Sequence, residues 1–210
     1  LTDFTTLRAT MVASQLRTVG VNDLDVVAAM TEVAREKFVP AGRELLAYAD
    51  AAVPLGGGRA MVEPLVTGLQ LTHARITRAC RVLVIGAGTG YATTLIGKLA
   101  GRVVGVEGDA ALVAHAARQG ITLQQRALTE GAPEDGPYDL IYFDGAVATV
   151  PATLAAQLKP GGRAVAVVRQ GGPGRVTVGR FAGNTLVGET YIEVDAPLLP
   201  GFEQVREFVF

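Results

Sequence analysis

The chain has 210 residues, 49% of them hydrophobic and 19% charged, with a formal net charge of −1. That length and balance fit one globular domain that buries its own core, and they exclude a disordered chain. No run of Lys or Arg stands out, which argues against nucleic acid or an anionic membrane as the main partner, and no stretch reaches the roughly 18 apolar residues needed to cross a membrane.

Phe4, Leu7, Met11, Val12 and Leu16 mark one face of a helix over residues 4–17. Val21-Asn22-Asp23 breaks that pattern, and Asn22 or Asp23 caps a second helix through Met30. Pro40-Ala41-Gly42 ends the next segment, Gly56-Gly57-Gly58 is a flexible hinge or loop, and Glu63-Pro64 suits the first turn of a helix reaching about Arg75. From residue 81 the rhythm changes. Val82–Ile85 is a short apolar strand, followed by a Gly-rich turn, a helix over Tyr91–Leu99, a strand at Val103–Val106 and a helix from Asp109 to Gln119. Tyr138–Phe143 reads as a third strand, Pro151–Leu158 as a helix and Ala164–Val168 as a fourth strand. Apolar strands alternating with helices predict a mostly parallel α/β sheet with helices on both faces. Arg169–Gly174 reads as a loop, and Arg175–Phe181, Leu186–Val194 and Gln204–Phe210 as strands without intervening helices, forming an antiparallel C-terminal edge.

Gly86-Ala87-Gly88-Thr89-Gly90 lies between a predicted strand and a predicted helix. The first glycine permits a tight turn, the next lets backbone approach a ligand closely, and the helix start offers free N–H groups. Glu107 stands at the tip of the next strand, 17 residues beyond Gly90, where a carboxylate can accept from both hydroxyls of a ribose. A dinucleotide loop would need a glycine where Tyr91 stands, and a bulky side chain there crowds a pyrophosphate. This disfavours a nicotinamide oxidoreductase. The Gly-x-Gly-x-Gly pattern resembles the Rossmann-like methyltransferases that use S-adenosylmethionine.

Further stretches narrow the resemblance. They are Met11–Arg17, Arg35-Glu36-Lys37-Phe38-Val39-Pro40, Ala47-Tyr48-Ala49-Asp50, Val82–Tyr91, Val106-Glu107, Pro137–Ile141 and Gln157-Leu158-Lys159-Pro160-Gly161-Gly162. In this order, over nearly the whole chain, they resemble the protein-L-isoaspartate O-methyltransferases. The resemblance implies a single methyltransferase-like domain, with a helical N-terminal cap and substrate loop (1–78), a cofactor-binding core (79–170) and C-terminal antiparallel strands (171–210). It also implies methyl transfer from S-adenosyl-L-methionine to the carboxylate of an isoaspartyl residue in a damaged protein or peptide, in the service of protein repair. Gly86, Ala87, Gly88, Thr89, Gly90, Tyr91, Glu107 and Asp144 are the expected cofactor-binding residues, and Arg59, Val62 and Glu63 the expected substrate-binding ones. No catalytic acid or base is assigned, because a carboxylate is already a nucleophile at neutral pH.

The chain departs from the family pattern in three places. The family's Gln-Thr-Ile-Ser-like stretch is Arg59-Ala60-Met61-Val62 here, so Val62 stands for the serine whose hydroxyl contacts the reacting carboxylate. Val84 stands where the family has an acid that helps hold the methionine end of the cofactor, and the family's Gly-Asp-Gly aligns with Arg126-Ala127-Leu128. Arg59 either binds the substrate carboxylate in a bidentate fork or marks a solvated helix start, and Asp144 either replaces a lost acid or caps the following turn. These losses motivate a second reading: a divergent or inactive member that binds a protein partner, or a nucleoside without turnover. His73, His115 and Cys80 read as structural residues, and no metal site is expected. With one cysteine, and no positive-then-apolar start at Leu1-Thr2-Asp3-Phe4, the chain reads as cytoplasmic.

Overall fold

The β-branched run Arg81–Ile85 (β3) alternates its side chains between two apolar layers, Val82 and Val84 on one side and Leu83 and Ile85 on the other, and all four are fully buried. The computed structural model describes residues 2–204. In it, β3 lies between Arg102–Glu107 (β4) and Tyr138–Val147 (β6), parallel to both. The two-residue Gln124–Gln125 (β5) extends the sheet beyond β4. On the other side Leu158–Val168 (β7) runs parallel to β6, and Gly174–Ala182 (β8) and Thr185–Val194 (β9) follow antiparallel, giving the order β5-β4-β3-β6-β7-β8-β9. The chain reverses its winding at β3 and β6, so the crevice beyond their carboxyl ends is where such a sheet binds ligands.

Helices Leu24–Glu32 (α2), Pro64–Ala74 (α3), Tyr91–Leu99 (α4) and Ala110–Arg118 (α5) share the first apolar layer with the N-terminal segment. The second layer is closed by the short helix Ala152–Ala155 (α6), by Leu128 and Ala132, and by Leu199 and Phe202. Asp23 caps α2 by accepting from the Asp25 and Val26 amides, and Asp109 does the same for α5 with Ala111 and Leu112. Among the described residues no helix is long and apolar enough to cross a membrane.

Several expectations need correction. The first helix is not continuous: an α-helix at Phe4–Thr10 (α1) passes into a π-helical turn at Met11–Leu16 and a 3₁₀ turn at Arg17–Val19, stopped by Gly20 in the left-handed region. The helix expected over Pro151–Leu158 is confined to α6, because Leu158 already pairs with Tyr138 and Lys159-Pro160-Gly161-Gly162 belongs to β7. Gly56-Gly57-Gly58, expected as a hinge or loop, is a loop: it turns an antiparallel hairpin between Val53–Gly56 (β1) and Arg59–Met61 (β2), all three glycines having positive φ. Most of the strand expected at Gln204–Phe210 lies outside the described residues.

Arg35 joins the N-terminal cap to the core. It is fully buried, its Nε donates to the Ala47 carbonyl at 2.7 Å and its Nη2 to the Val62 carbonyl, and its guanidinium carbon lies 4.7 Å from the Tyr91 ring centroid. Truncating it strands two buried carbonyls. Arg35→Met is therefore expected to lower the unfolding free energy by about 3 kcal/mol or more, from two lost charge-assisted bonds and their unpaired acceptors. Urea unfolding would show this as a lower midpoint with an unchanged slope; an unaltered midpoint would refute it.

Candidate active site

The turn after β3 is held to the tip of β4 by two backbone bonds, from the Gly86 and Ala87 amides to the Val106 carbonyl at 3.1 and 3.0 Å. Gly86 (φ +74°) and Gly88 (φ +56°) lie in the left-handed region, where a side chain would be strained. This geometry aims the Gly88 amide at Glu107, donating to Oε2 at 2.7 Å. The other carboxylate oxygen, Oε1, accepts from the Gly108 and Asp109 amides at 2.8 and 3.1 Å. Glu107 thus stands where the sequence placed it, at the strand tip behind the glycine turn.

A fourth donor comes from outside the sheet. Arg59 Nη2 donates to Glu107 Oε2 at 3.0 Å and to the Gly86 carbonyl at 2.9 Å, with side-chain exposures of 4% for Arg59 and 1% for Glu107. Arg59 is neither a solvated helix start nor free to fork a substrate carboxylate in this arrangement, since it lies on β2 and pairs with the expected ribose acid. Sequence offered no signal for this pair, whose partners are 48 positions apart.

Asp144 falls within β6 beside the turn, because Ile85 and Phe143 are in register. It is buried, and its Oδ1 has no hydrogen-bond partner among the described residues. Burial pushes its carboxyl up to about 7, Arg59 and then Arg35 pull it back, and Glu107 adds to the rise. Gln70 of α3 supports this region by donating to the Phe143 carbonyl at 3.0 Å and accepting from the Tyr142 hydroxyl at 3.2 Å.

The remaining expected residues separate. Thr89 Oγ1 donates to the Phe38 carbonyl at 2.6 Å, and the Tyr91 ring meets Phe38 edge-on at 5.3 Å, so both fasten the turn to the cap. Val62 is 1% exposed, its side chain in the core and its carbonyl on Arg35. Glu63 is half-buried at the start of α3; burial, Asp50 and Asp195 raise its pKa. Val84 is sealed in the first apolar layer, and Ala127 precedes the buried Leu128. His73 stacks on Tyr191 at 3.5 Å between centroids, His115 Nε2 lies 2.8 Å from the Lys37 carbonyl, and Cys80 is buried.

Two leucines escaped sequence reasoning. A Cβ added at Gly86 would meet Leu199 Cδ2 at 2.6 Å and Arg59 Nη2 at 2.9 Å, and one at Gly88 would meet Leu55 Cδ1 at 3.3 Å. The polar groups suit a nucleoside: a glycine cradle, a carboxylate at the β4 tip and an unpaired carboxylate oxygen at the neighbouring strand. The chain's own Arg59, Leu55 and Leu199 lie against that cradle.

The rise at Asp144 sets the sign of a pH effect. An acid whose folded pKa lies above its ordinary value binds its proton more tightly when folded. Its contribution to stability is complete below about pH 4, declines as pH rises, and is lost above about pH 7. Asp144→Asn removes that decline. Relative to wild type it should gain stability between pH 5 and 8, by at most about 4 kcal/mol for a three-unit shift. Thermal unfolding of both proteins at pH 5 and pH 8 checks this; a gap that does not widen with pH would contradict it.

Comparison with known proteins agrees with this geometry. The sequence model of the protein-L-isoaspartate(D-aspartate) O-methyltransferase (PCMT) family matches residues 8–190. A protein-L-isoaspartate O-methyltransferase from Methanoculleus marisnigri is 38% identical over 168 residues, covering 77% of this chain and 76% of that protein. Another from Methylorubrum populi is 37% identical over 180 residues, covering 83% and 84%. Among solved structures, one protein-L-isoaspartate O-methyltransferase superposes with a TM-score of 0.76 at 24% identity, covering 95% of this chain and 66% of that longer one. A Plasmodium falciparum structure of the same description, in complex with S-adenosyl-L-homocysteine, gives a TM-score of 0.76 at 18% identity, covering 95% and 99%. These two establish the fold, a Rossmann-like methyltransferase sheet. With the family match over most of its length, the chain belongs to the protein-L-isoaspartate(D-aspartate) O-methyltransferase family, whose members are S-adenosylmethionine-dependent methyltransferases.

Proposed function

We propose that this chain, as one methyltransferase-like domain over residues 1–210, methylates isoaspartyl carboxylates of damaged proteins or peptides. The observation that carries the reading is Glu107, placed at the β4 tip and addressed by the Gly88 amide behind a turn of positive-φ glycines, within a chain matched to the family from residue 8 to 190. S-adenosylmethionine, when bound, supplies an electrophilic methyl group. Gly86, Gly88 and Gly90 then let backbone approach the nucleoside, with Ala87 between them, and Glu107 accepts from the ribose hydroxyls. Thr89 and Tyr91 hold the turn against the cap. The acceptor carboxylate needs no proton removed, so the chain's contribution is alignment and exclusion of water. The β2–α3 segment bearing Arg59, Val62 and Glu63 is the side from which a substrate approaches. The net charge of −1 and the single cysteine support a cytoplasmic protein that binds neither nucleic acid nor membrane.

One observation favours a second reading. Val62 and Val84 are both sealed in the core, so no polar side chain stands at either departed position. A descendant that binds a nucleoside or a protein partner without turnover would look the same there.

Methyl transfer from S-adenosylmethionine to an isoaspartyl peptide is the measurement that separates them. Incorporation into the isoaspartyl peptide, absent for the matched aspartyl peptide, is expected. Folded protein that binds S-adenosylhomocysteine yet transfers no methyl would favour the second reading. Glu107→Ala should weaken S-adenosylhomocysteine binding at least tenfold, since a hydrogen bond to a charged group contributes about 1.5–3 kcal/mol. Unchanged affinity would remove Glu107 from the site.

A further inference from the structure

We propose that Arg59 is a two-position gate on the cofactor site: it neutralises Glu107 while the site is closed and moves to Asp144 when a ribose takes the Glu107 carboxylate. This rests on the preceding reading that a nucleoside cofactor binds there.

A carboxylate has about four acceptor positions. On Glu107 they face the Gly88, Gly108 and Asp109 amides and Arg59 Nη2. The three amides are fixed by the glycine turn and the entry to α5. Arg59 is the one donor on a side chain, and so the one that can give way to a hydroxyl.

Arg59 also sits on an element outside the main sheet. The β1–β2 hairpin is a separate two-stranded sheet with three paired positions and a register shift, and it turns on three consecutive glycines of positive φ. The same hairpin carries Leu55 against Gly88, so one displacement clears both side chains from the cradle.

The displaced guanidinium has a destination. Asp144 stands beside Gly86 across the β3–β6 pairing, and Arg59 already donates to the Gly86 carbonyl. Asp144 Oδ1 and Arg59 Nε are both buried without hydrogen-bond partners among the described residues. The Arg59 charge lowers the Asp144 pKa against the effect of burial. Arg35, the other cation acting there, donates through Nε and Nη2 to the Ala47 and Val62 carbonyls, and its Nη1 is buried without a hydrogen-bond partner among the described residues. A buried charge moved from one carboxylate to another never stands alone, the state in which a buried ion is most costly.

A closed state that dominates the free protein divides the apparent affinity by the fraction that is open. Titration calorimetry with S-adenosylhomocysteine on full-length wild type, Arg59→Gln, Asp144→Asn and the double variant tests this. Arg59→Gln is expected to bind at least tenfold tighter than wild type. Asp144→Asn is expected to bind several-fold more weakly in the wild-type background and equally in the Arg59→Gln background. Equal or weaker binding by Arg59→Gln overturns the gate and leaves the cofactor reading standing. Equal weakening by Asp144→Asn in both backgrounds overturns the transfer, because Asp144 would then contact the cofactor itself. No binding by any of the four removes the cofactor reading and the gate together. A measurement on wild type guards against a misfolded variant: the Arg59 Nε–H resonance, assigned with Arg59→Lys, should shift at saturating S-adenosylhomocysteine. A resonance that stays in place overturns the proposal.

Discussion

Glu107 carries a carboxylate into the interior at the point where β4 ends, and a buried negative charge persists only where donors surround it. The architecture of the carboxyl edge follows from supplying those donors. The glycine turn is bent so that the Gly88 amide faces the carboxylate, α5 begins where the next two amides reach it, and the β1–β2 hairpin brings an arginine across from another sheet. Any ligand entering by its hydroxyls competes for positions that the protein already fills.

A second arginine has the opposite character. Arg35 is buried with Nε and Nη2 donating to main-chain carbonyls, and it clamps the N-terminal cap to the segment that carries Val62. Three residues on, Phe38 receives the Thr89 hydroxyl on its carbonyl and packs its ring against Tyr91. The stretch Arg35–Pro40, which has no polar chemistry aimed at a ligand, thereby fixes the glycine turn from behind. The segment that carries Val62 and the glycine turn are tied through this short piece of chain, which makes the cap part of their frame.

The central layers were legible because they obey local rules. Val82–Ile85 is apolar on both faces, and its flanking glycines and the acid at the next strand tip sit at spacings that the chemistry imposes. Asp23 and Asp109 announce their helices by a single side chain. Legibility failed where long-range pairing overrides local preference. Lys159-Pro160-Gly161-Gly162 looks like a turn, yet β6 draws the chain into the sheet from Leu158 onward. The triple glycine reads as a hinge or loop, and the strands that it joins into a hairpin, with Val53 opposite Met61, carry no local signal. The placement of Glu107 at the β4 tip and of the glycines in the turn after β3 was readable from spacing. The partner of Arg59 and the packing of Leu55 and Leu199 were not, since they depend on which distant segments the fold brings over the turn.

Val84 shows how a fold can close off its own history. It is fully buried in a layer shared with residues of the N-terminal segment, α2, α3 and α4. The surroundings have settled to the shape of a valine. Putting a carboxylate back would place a larger, charged side chain at a fully buried position in an apolar layer, at a cost of several kcal/mol. A single substitution that restores the acid of the family pattern is therefore costly, and changes in neighbouring side chains would ease it. Exploration by point mutation is channelled elsewhere, toward the hairpin and the edge of β6, where polar groups are already buried and a small shift in position changes their partners.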